Sequence, residues 1–402
     1  MVSARFAAAP AVFLSAGLLT AGAATLAGAR RFLRLRRWTA AVMALGVVGL
    51  QATAFLVPLS SGTPEPAQTD LRYWQLPTGS RLGYLSQMPP PVAPGTTSPL
   101  EHKDPIVVLH GGPGIPDLAE NAAYFGQLAT LGHPVYTYAQ LGSGPSTRLD
   151  DPRGYGLERD VADLESIRRT LRAPRLILVG HSYGAALAAN YLAAYPDRVA
   201  ALVLSSPAPL DPHDRSSDRA SARLTTGQRM NTYRLVSAPR ALLGYLLLQV
   251  NPAAAHAYFP DPEADARNDR VITAAAPGLH CDRSRSWPAT RGSGFYAHQY
   301  PQSATSQRPP DIRDRLSALS REGLKVEVLL IKGGCDYLSW QSALDYRRVL
   351  PETRLVYLPV AGHNTYADQP QTVLACIRAF LDHQDTPVPT YTSDDQPPGY
   401  QG

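Results

Sequence analysis

Apolar positions along the chain change their pattern twice. Residues 6–29 and 39–60 are uncharged throughout, 24 and 22 positions long, and each is enough to cross the roughly 30 Å of hydrocarbon in a bilayer. From residue 72 the apolar runs become short. Residues 72–88 alternate apolar and polar around Pro77-Thr-Gly-Ser80, which predicts an opening β-hairpin. Strand-like runs follow at 106–109, 135–139, 176–179, 201–205, 326–331 and 355–360, and helix-like stretches at 158–171, 185–195 and 370–383 fall among them. Strands alternating with helices predict an α/β domain, a mostly parallel sheet with helices on both faces. The alternation stops between 206 and 324.

Charge changes how the first sixty residues are read. The net charge of +5 arises there: Arg5, Arg30, Arg31, Arg34, Arg36 and Arg37 stand without a single acid, and the rest of the chain sums to −1. The basic balance is therefore no sign of nucleic-acid binding. Arg30-Arg-Phe-Leu-Arg-Leu-Arg-Arg-Trp38 lies between the two apolar runs, and the positive-inside bias puts this loop in the cytoplasm with both ends outside. A signal peptide fits less well, because the arginine cluster follows the first run instead of preceding it. A single anchor formed by the second run is the other membrane alternative. Both membrane readings leave everything after residue 60 outside the cytoplasm.

The chemistry centres on Gly180-His-Ser-Tyr-Gly184. A strand-like run precedes this Gly-x-Ser-x-Gly turn and a small-residue helix follows, the context that pushes a serine into a strained, exposed elbow. Ser182 is the candidate nucleophile, and the backbone N–H of Tyr183 would point at the reacting carbonyl. Gly111 and Gly112, just after the 106–109 strand, read as a tight turn on their own; beside the elbow, Gly112 would supply a second oxyanion donor. Gly142 and Gly144 lack the lysine pattern of a phosphate loop.

The acid and the base of such a site should follow in that order. Asp336 stands in a glycine turn after the 326–331 strand, and His363 just past the 355–360 strand. Open α/β sheets place their sites at such strand ends. Asp211 is the fallback acid.

His110-Gly-Gly-Pro-Gly114, Gln140-Leu-Gly-Ser-Gly-Pro-Ser146, the elbow, Gly334-Cys-Asp336 and Gly362-His363 together resemble an α/β-hydrolase of the prolyl iminopeptidase (proline aminopeptidase) group, over residues 72–383. The resemblance implies an α/β-hydrolase fold, with Ser182, Asp336 and His363 as triad and Gly112 with Tyr183 as oxyanion hole. It implies a short-peptide or other small substrate and an N-terminal residue as the product. Two departures bear on the substrate: Ala139-Gln140-Leu141 where the family has Asp-Gln-Arg, and His181 with Tyr183 where its elbow often has Gly and Trp.

In this fold the 208–324 insertion makes a helical cap over the nucleophile. Its acids Glu263, Asp265 and Asp269 read either as a solvated helix start, favoured by the helix dipole, or, as the resemblance implies, as an anionic pocket for a substrate's α-amine. Cys281, Cys335 and Cys376 match no metal-ligand spacing; a Cys281–Cys335 bridge would tie cap to core and leave one thiol over. No cofactor is implied. The expected organisation is a membrane anchor at 1–60, a linker at 61–71, a core in two parts at 72–207 and 325–383, the cap at 208–324, and a disordered tail at 384–402. An esterase or lactonase with the same triad is the rival enzyme; a catalytically silent surface binding protein is the rival of another class.

Overall fold

The computed structural model describes residues 9–31, 36–58, 68–91, 103–303 and 309–402. Most of the expected linker at 61–71, and residues 92–102, lie outside these residues.

Eight strands form one sheet: β1 (Arg72–Gln75), β2 (Arg81–Gln87), β3 (Ile106–Leu109), β4 (Val135–Tyr138), β5 (Leu176–His181), β6 (Val199–Ser205), β7 (Glu327–Cys335) and β8 (Thr353–Gly362). Their spatial order is β1-β2-β4-β3-β5-β6-β7-β8. The β1–β2 hairpin and the β2–β4 pair are antiparallel, and the remaining pairs are parallel. Strand residues divide between the two faces with period two. Leu176, Leu178, Leu202, Leu204, Val328 and Leu330 enter one core, and Ile177, Val179, Val203, Leu329 and Ile331 enter the other. Burial on both faces is why these strands read as nearly unbroken apolar runs.

Helices α3 (Leu118–Phe125), α4 (Leu157–Thr170), α5 (Tyr183–Ala194), α12 (Trp340–Val349), α13 (Thr365–Asp368) and α14 (Pro370–Leu381) belong to the layers around the sheet. Between β6 and β7 the inserted segment expected to form a cap, and called the cap below, contributes α6 (Thr226–Val236), α7 (Pro239–Val250), α8 (Pro252–Tyr258), α9 (Asp261–Ala275), α10 (Phe295–Ser303) and α11 (Arg313–Arg321).

The N-terminal residues form α1 (Ala9–Arg31) and α2 (Arg37–Leu56), packed on each other. Two membrane spans were expected from the sequence; among the described residues one helix, α2, is long and apolar enough to cross a bilayer.

The tail corrects an expectation. Residues 384–402 read as disordered from their prolines and polar side chains, yet they pack along the core. Thr390 bridges to Val356, and Tyr391 N donates to Leu355 O at 2.7 Å. Tyr391 and Tyr400 both meet Trp340 edge-on, with ring centroids 5.3 and 5.6 Å away, and Gln401 N reaches Gly334 O at 2.9 Å. Two aromatic anchors supply burial that composition averaged over the segment conceals.

Candidate active site

Ser182 sits between β5 and α5 with φ 53° and ψ −115°, a conformation that costs an ordinary side chain of order 1–3 kcal/mol. Close packing enforces it. A Cβ on Gly184 would come within 2.0 Å of Leu109 O, so no larger residue lets α5 start this near β3. The first helical bonds run from Ala185 and Ala186 N to Ser182 O. Tyr183 N–H therefore precedes the bonded ladder and is one of the free donors that open a helix. The Tyr183 phenol donates to Asp160 Oδ2 on α4 at 2.6 Å, which fixes the residue after the serine. Burial pushes the Asp160 carboxyl up to about 7, against the pull of that phenol.

Asp336 and His363 are brought into direct contact, with His363 Nδ1 2.8 Å from Asp336 Oδ1 and both side chains buried. Asp336 Oδ1 also accepts from Leu338 N at 3.1 Å, and Oδ2 from Lys332 Nζ at 2.7 Å. Burial opposes ionisation of this carboxyl, but the Lys332 ammonium and His363 outweigh it and hold the group well below the usual carboxylate range. An ionised Asp336 keeps the imidazole proton on Nδ1 and leaves Nε2 as an acceptor. Nε2 stands 3.5 Å from the Tyr337 hydroxyl. Among the described residues Ser182 and His363 are not hydrogen-bonded to each other; they share the carboxyl edge of the sheet, at the ends of β5 and β8. Asp211, the fallback acid, lies 3.3 Å from the guanidinium of Arg313 instead.

The loop after β3 is clamped to the second glycine motif. His110 Nδ1 donates to Gly111 O at 2.9 Å while its Nε2 accepts from Gln140 N at 2.9 Å. Both nitrogens are thus used in the neutral form, and burial pulls its pKa down to about 4. Gly112 adopts φ 117°, in the region that favours glycine, and precedes a cis peptide to Pro113. Gly111 lies against the elbow, since a Cβ there would come within 3.3 Å of Ser182 Cβ.

The three cap acids are engaged within the fold. Glu263 takes Arg240 through two bonds of 2.7 and 3.0 Å. Asp265 pairs with Arg148 at 2.9 Å and accepts from Phe295 N at 2.7 Å. Asp269 accepts from Gly292 N, Ser293 N and Ser293 Oγ at 3.2, 2.9 and 2.6 Å. The segment so held rests on the site: Gly294 N donates to Gly114 O at 2.9 Å, Gly144 N to Gly292 O at 2.6 Å, and His298 Nδ1 to Pro113 O at 2.8 Å. These contacts differ from the solvated helix start read in the sequence: Glu263 is buried, and the three acids bond within the insertion and, through Asp265, to Arg148 of the core.

Cys281 and Cys335 form a disulfide, and Cys376 is free and buried. The bridge joins the cap to the residue before Asp336. Asp368 completes the junction by accepting from Gly362 N at 2.6 Å and Cys281 N at 3.0 Å, and it pairs with His280 at 2.7 Å. Among the described residues no group of three His, Cys, Asp or Glu side chains is arranged to hold a metal ion. Sequence reasoning missed Lys332, Tyr337, Asp368 and Arg148. Lys332 had a signal: it is a lone lysine ending the apolar run Val328-Leu-Leu-Ile331, four residues before the candidate acid.

Compared with known proteins, residues 104–370 match the family model described as the α/β hydrolase fold. The chain is 26% identical over 299 residues to a proline iminopeptidase of Lactobacillus helveticus, spanning 70% of this chain and 91% of the relative. It is 27% identical over 324 residues to a (lyso)-N-acylphosphatidylethanolamine lipase of Bos taurus, 78% and 87% of the two chains. Among solved structures, a proline iminopeptidase of Mycobacterium smegmatis superposes with a TM-score of 0.51 at 21% identity, covering 78% of this chain and 98% of the other.

Proposed function

The chain belongs to the α/β hydrolase fold family, and from this premise we propose that it is a serine hydrolase with Ser182 as nucleophile, His363 as base and Asp336 as acid. The carrying observation is the buried Asp336–His363 contact of 2.8 Å, with the His363 ring 4.9 Å from that of His181, the residue before a serine at φ 53°. In the reaction Ser182 Oγ attacks a carbonyl carbon as His363 Nε2 takes its proton. Catalytic contacts of this kind commonly tighten only when substrate is bound, so the Ser182–His363 bond forms on entry. Gly112 and Tyr183 N–H stabilise the oxyanion. His363 then protonates the leaving group, and water releases the acyl product by the same steps in reverse order.

The substrate reading is release of an N-terminal residue, proline-type, from short peptides. It is supported by the His110-Gly-Gly-Pro-Gly114 loop and by the iminopeptidase relatives. A second reading, hydrolysis of an ester or lipid-like acyl bond, is favoured by the engagement of Glu263, Asp265 and Asp269 inside the cap. The equally similar lipase relative supports it too. Fluorophosphonate labelling of the wild type but not of Ser182→Ala tests the nucleophile, and an unlabelled wild type would favour a silent binding fold. Comparing proline 2-naphthylamide with p-nitrophenyl acetate separates the two substrate readings. Turnover of the acetate alone would end the peptidase reading.

Residues 1–60 act as a membrane anchor and the hydrolase domain, core at 72–207 and 325–383 with the cap at 208–324, lies outside the cytoplasm. Support comes from the arginines preceding α2 and from the Cys281–Cys335 bridge, since disulfides persist in oxidising compartments. Protease added to intact cells should digest the domain; protection until lysis would invert this topology.

A further inference from the structure

Helix α7 carries an apolar stripe that the described residues leave about half to four-fifths exposed. Its segment 241–250 contains no charged residue. Ala241, Gly244 and Leu248 face inward. Leu242, Leu246 and Val250 are 47, 57 and 79% exposed and fall on one face of the helix through their i, i+4, i+8 spacing. A contiguous exposed apolar surface of this kind marks a contact with a partner or a membrane.

The neighbours of α7 identify the occupant. The start of α7 meets the end of α2: Arg240 Nη1 donates to Phe55 O at 2.9 Å, and Tyr258 Oη to the same carbonyl at 2.6 Å. The last carbonyls of a helix have no partner of their own, so the cap closes the end of the one described helix fit to span a bilayer. Arg240 is aimed by Glu263 and by a bond from Nη2 to Tyr258 O at 2.7 Å. Earlier in the cap, α6 buries none of its residues and exposes Met230 and Tyr233 together with Arg229 and Arg234. Aromatic, apolar and arginine side chains together suit the headgroup level of a membrane.

We propose that the lipid leaflet at the carboxyl end of α2 covers Leu242, Leu246 and Val250, so that the cap rests in the membrane interface and the site takes amphiphilic acyl substrates from that leaflet. This rests on the reading of α2 as an anchor, of Ser182 as the nucleophile, and on the second substrate reading, hydrolysis of an ester or lipid-like acyl bond. Packed residues connect the stripe's helix to the loop beside the site. Tyr245 on α7 packs edge-on against Phe295 with ring centroids 4.9 Å apart, and Phe295 follows Gly294, which is bonded to Gly114 in the loop after β3.

The test uses the full chain in phosphatidylcholine vesicles. Cys376 is buried and the other two cysteines are bridged, so a bimane label goes to Leu246→Cys, with Arg169→Cys on α4 as the control. Lipids carrying a nitroxide on the acyl chain should quench the label at 246 at least about twofold more than at 169. The triple variant Leu242→Ser, Leu246→Ser, Val250→Ser should lose about tenfold or more in kcat/KM on a long-chain monoacyl ester in vesicles, while p-nitrophenyl acetate turnover stays unchanged. A label at 246 untouched by lipid overturns the proposal, and one that is also shielded from aqueous iodide assigns the stripe to a second copy of the chain. Equal losses on both esters overturn it as well. A chain that fails to float with vesicles removes both the anchor and this inference. Acetate turnover that survives Ser182→Ala refutes only the nucleophile and leaves the quenching result standing.

Discussion

Lys332 and Asp336 form an ion pair with neither side chain exposed to solvent, Nζ 2.7 Å from Oδ2, at the carboxyl end of β7. The pair divides the work of the carboxylate. One oxygen is held by the lysine, and the other is left for His363 and Leu338 N. Tyr400 and Gln401 of the tail bond to Leu338 O and Gly334 O on either side of the same turn.

Removing the lysine should leave a buried charge without its partner. Lys332→Met is expected to cost about 3–5 kcal/mol of stability and to lower kcat with it. Adding Asp336→Asn should restore much of the stability and none of the activity. Denaturant melts and turnover on one ester substrate measure both. A single variant as stable as wild type would show that the pair does not hold the turn.

The disulfide should matter for activity as well as for stability. Cys281→Ser with Cys335→Ser frees the cap from the turn that carries Asp336, and about 2–4 kcal/mol of stability should be lost. At a temperature where the variant remains folded by circular dichroism, kcat should still fall, because the turn is released at its junction with Gly362 and Asp368. Unchanged kcat under those conditions would confine the bridge to a structural part.

Asp160 gives a pH dependence with a defined sign. Burial raises its folded pKa to about 7, above the ordinary value of about 3.9 in an unfolded chain. Between about pH 4 and pH 7 the native state therefore holds a proton that the unfolded state has released. This group's contribution to stability is present below about pH 4 and is lost as pH rises through 7. Asp160→Asn keeps an acceptor for the Tyr183 phenol and removes the titration. The melting temperature of the variant relative to wild type should climb from pH 4.5 to pH 8, and a difference that stays constant across that range would contradict the assignment.

Asp265→Asn and Asp269→Asn test the cap joint. Both acids hold the 292–295 segment that docks on the loop after β3, so each change should reduce turnover of a free-amine peptide and of a simple ester to the same extent, within about twofold. A loss confined to the free amine would return these acids to the role of an ammonium pocket.

The elements that local rules govern were legible in the sequence. Apolar runs of four to six residues become parallel strands because both faces of the sheet are buried, and the elbow around Ser182 follows from glycines whose absent side chains permit a close approach. The order of Ser182, Asp336 and His363 along the chain marks three strand ends that the parallel topology places on one edge. Helices α1 and α2 follow from uncharged runs flanking the arginine cluster. What only the tertiary structure decided is which partner each polar group finds. Glu263, Asp265 and Asp269 read alike along one acidic stretch, yet Glu263 turns to Arg240 while the other two reach Arg148 and the 292–295 backbone. Lys332 meets Asp336 because a strand and the turn after it bring two charges together away from water. The tail reads as disordered because composition averages over it, whereas burial is won by Tyr391 and Tyr400 at two points on Trp340. Backbone preference and hydrophobic period act over a few neighbouring residues and can be read there. Pairing of buried charges and docking of a segment depend on groups far apart in the chain, and only the folded arrangement sets them at bonding distance.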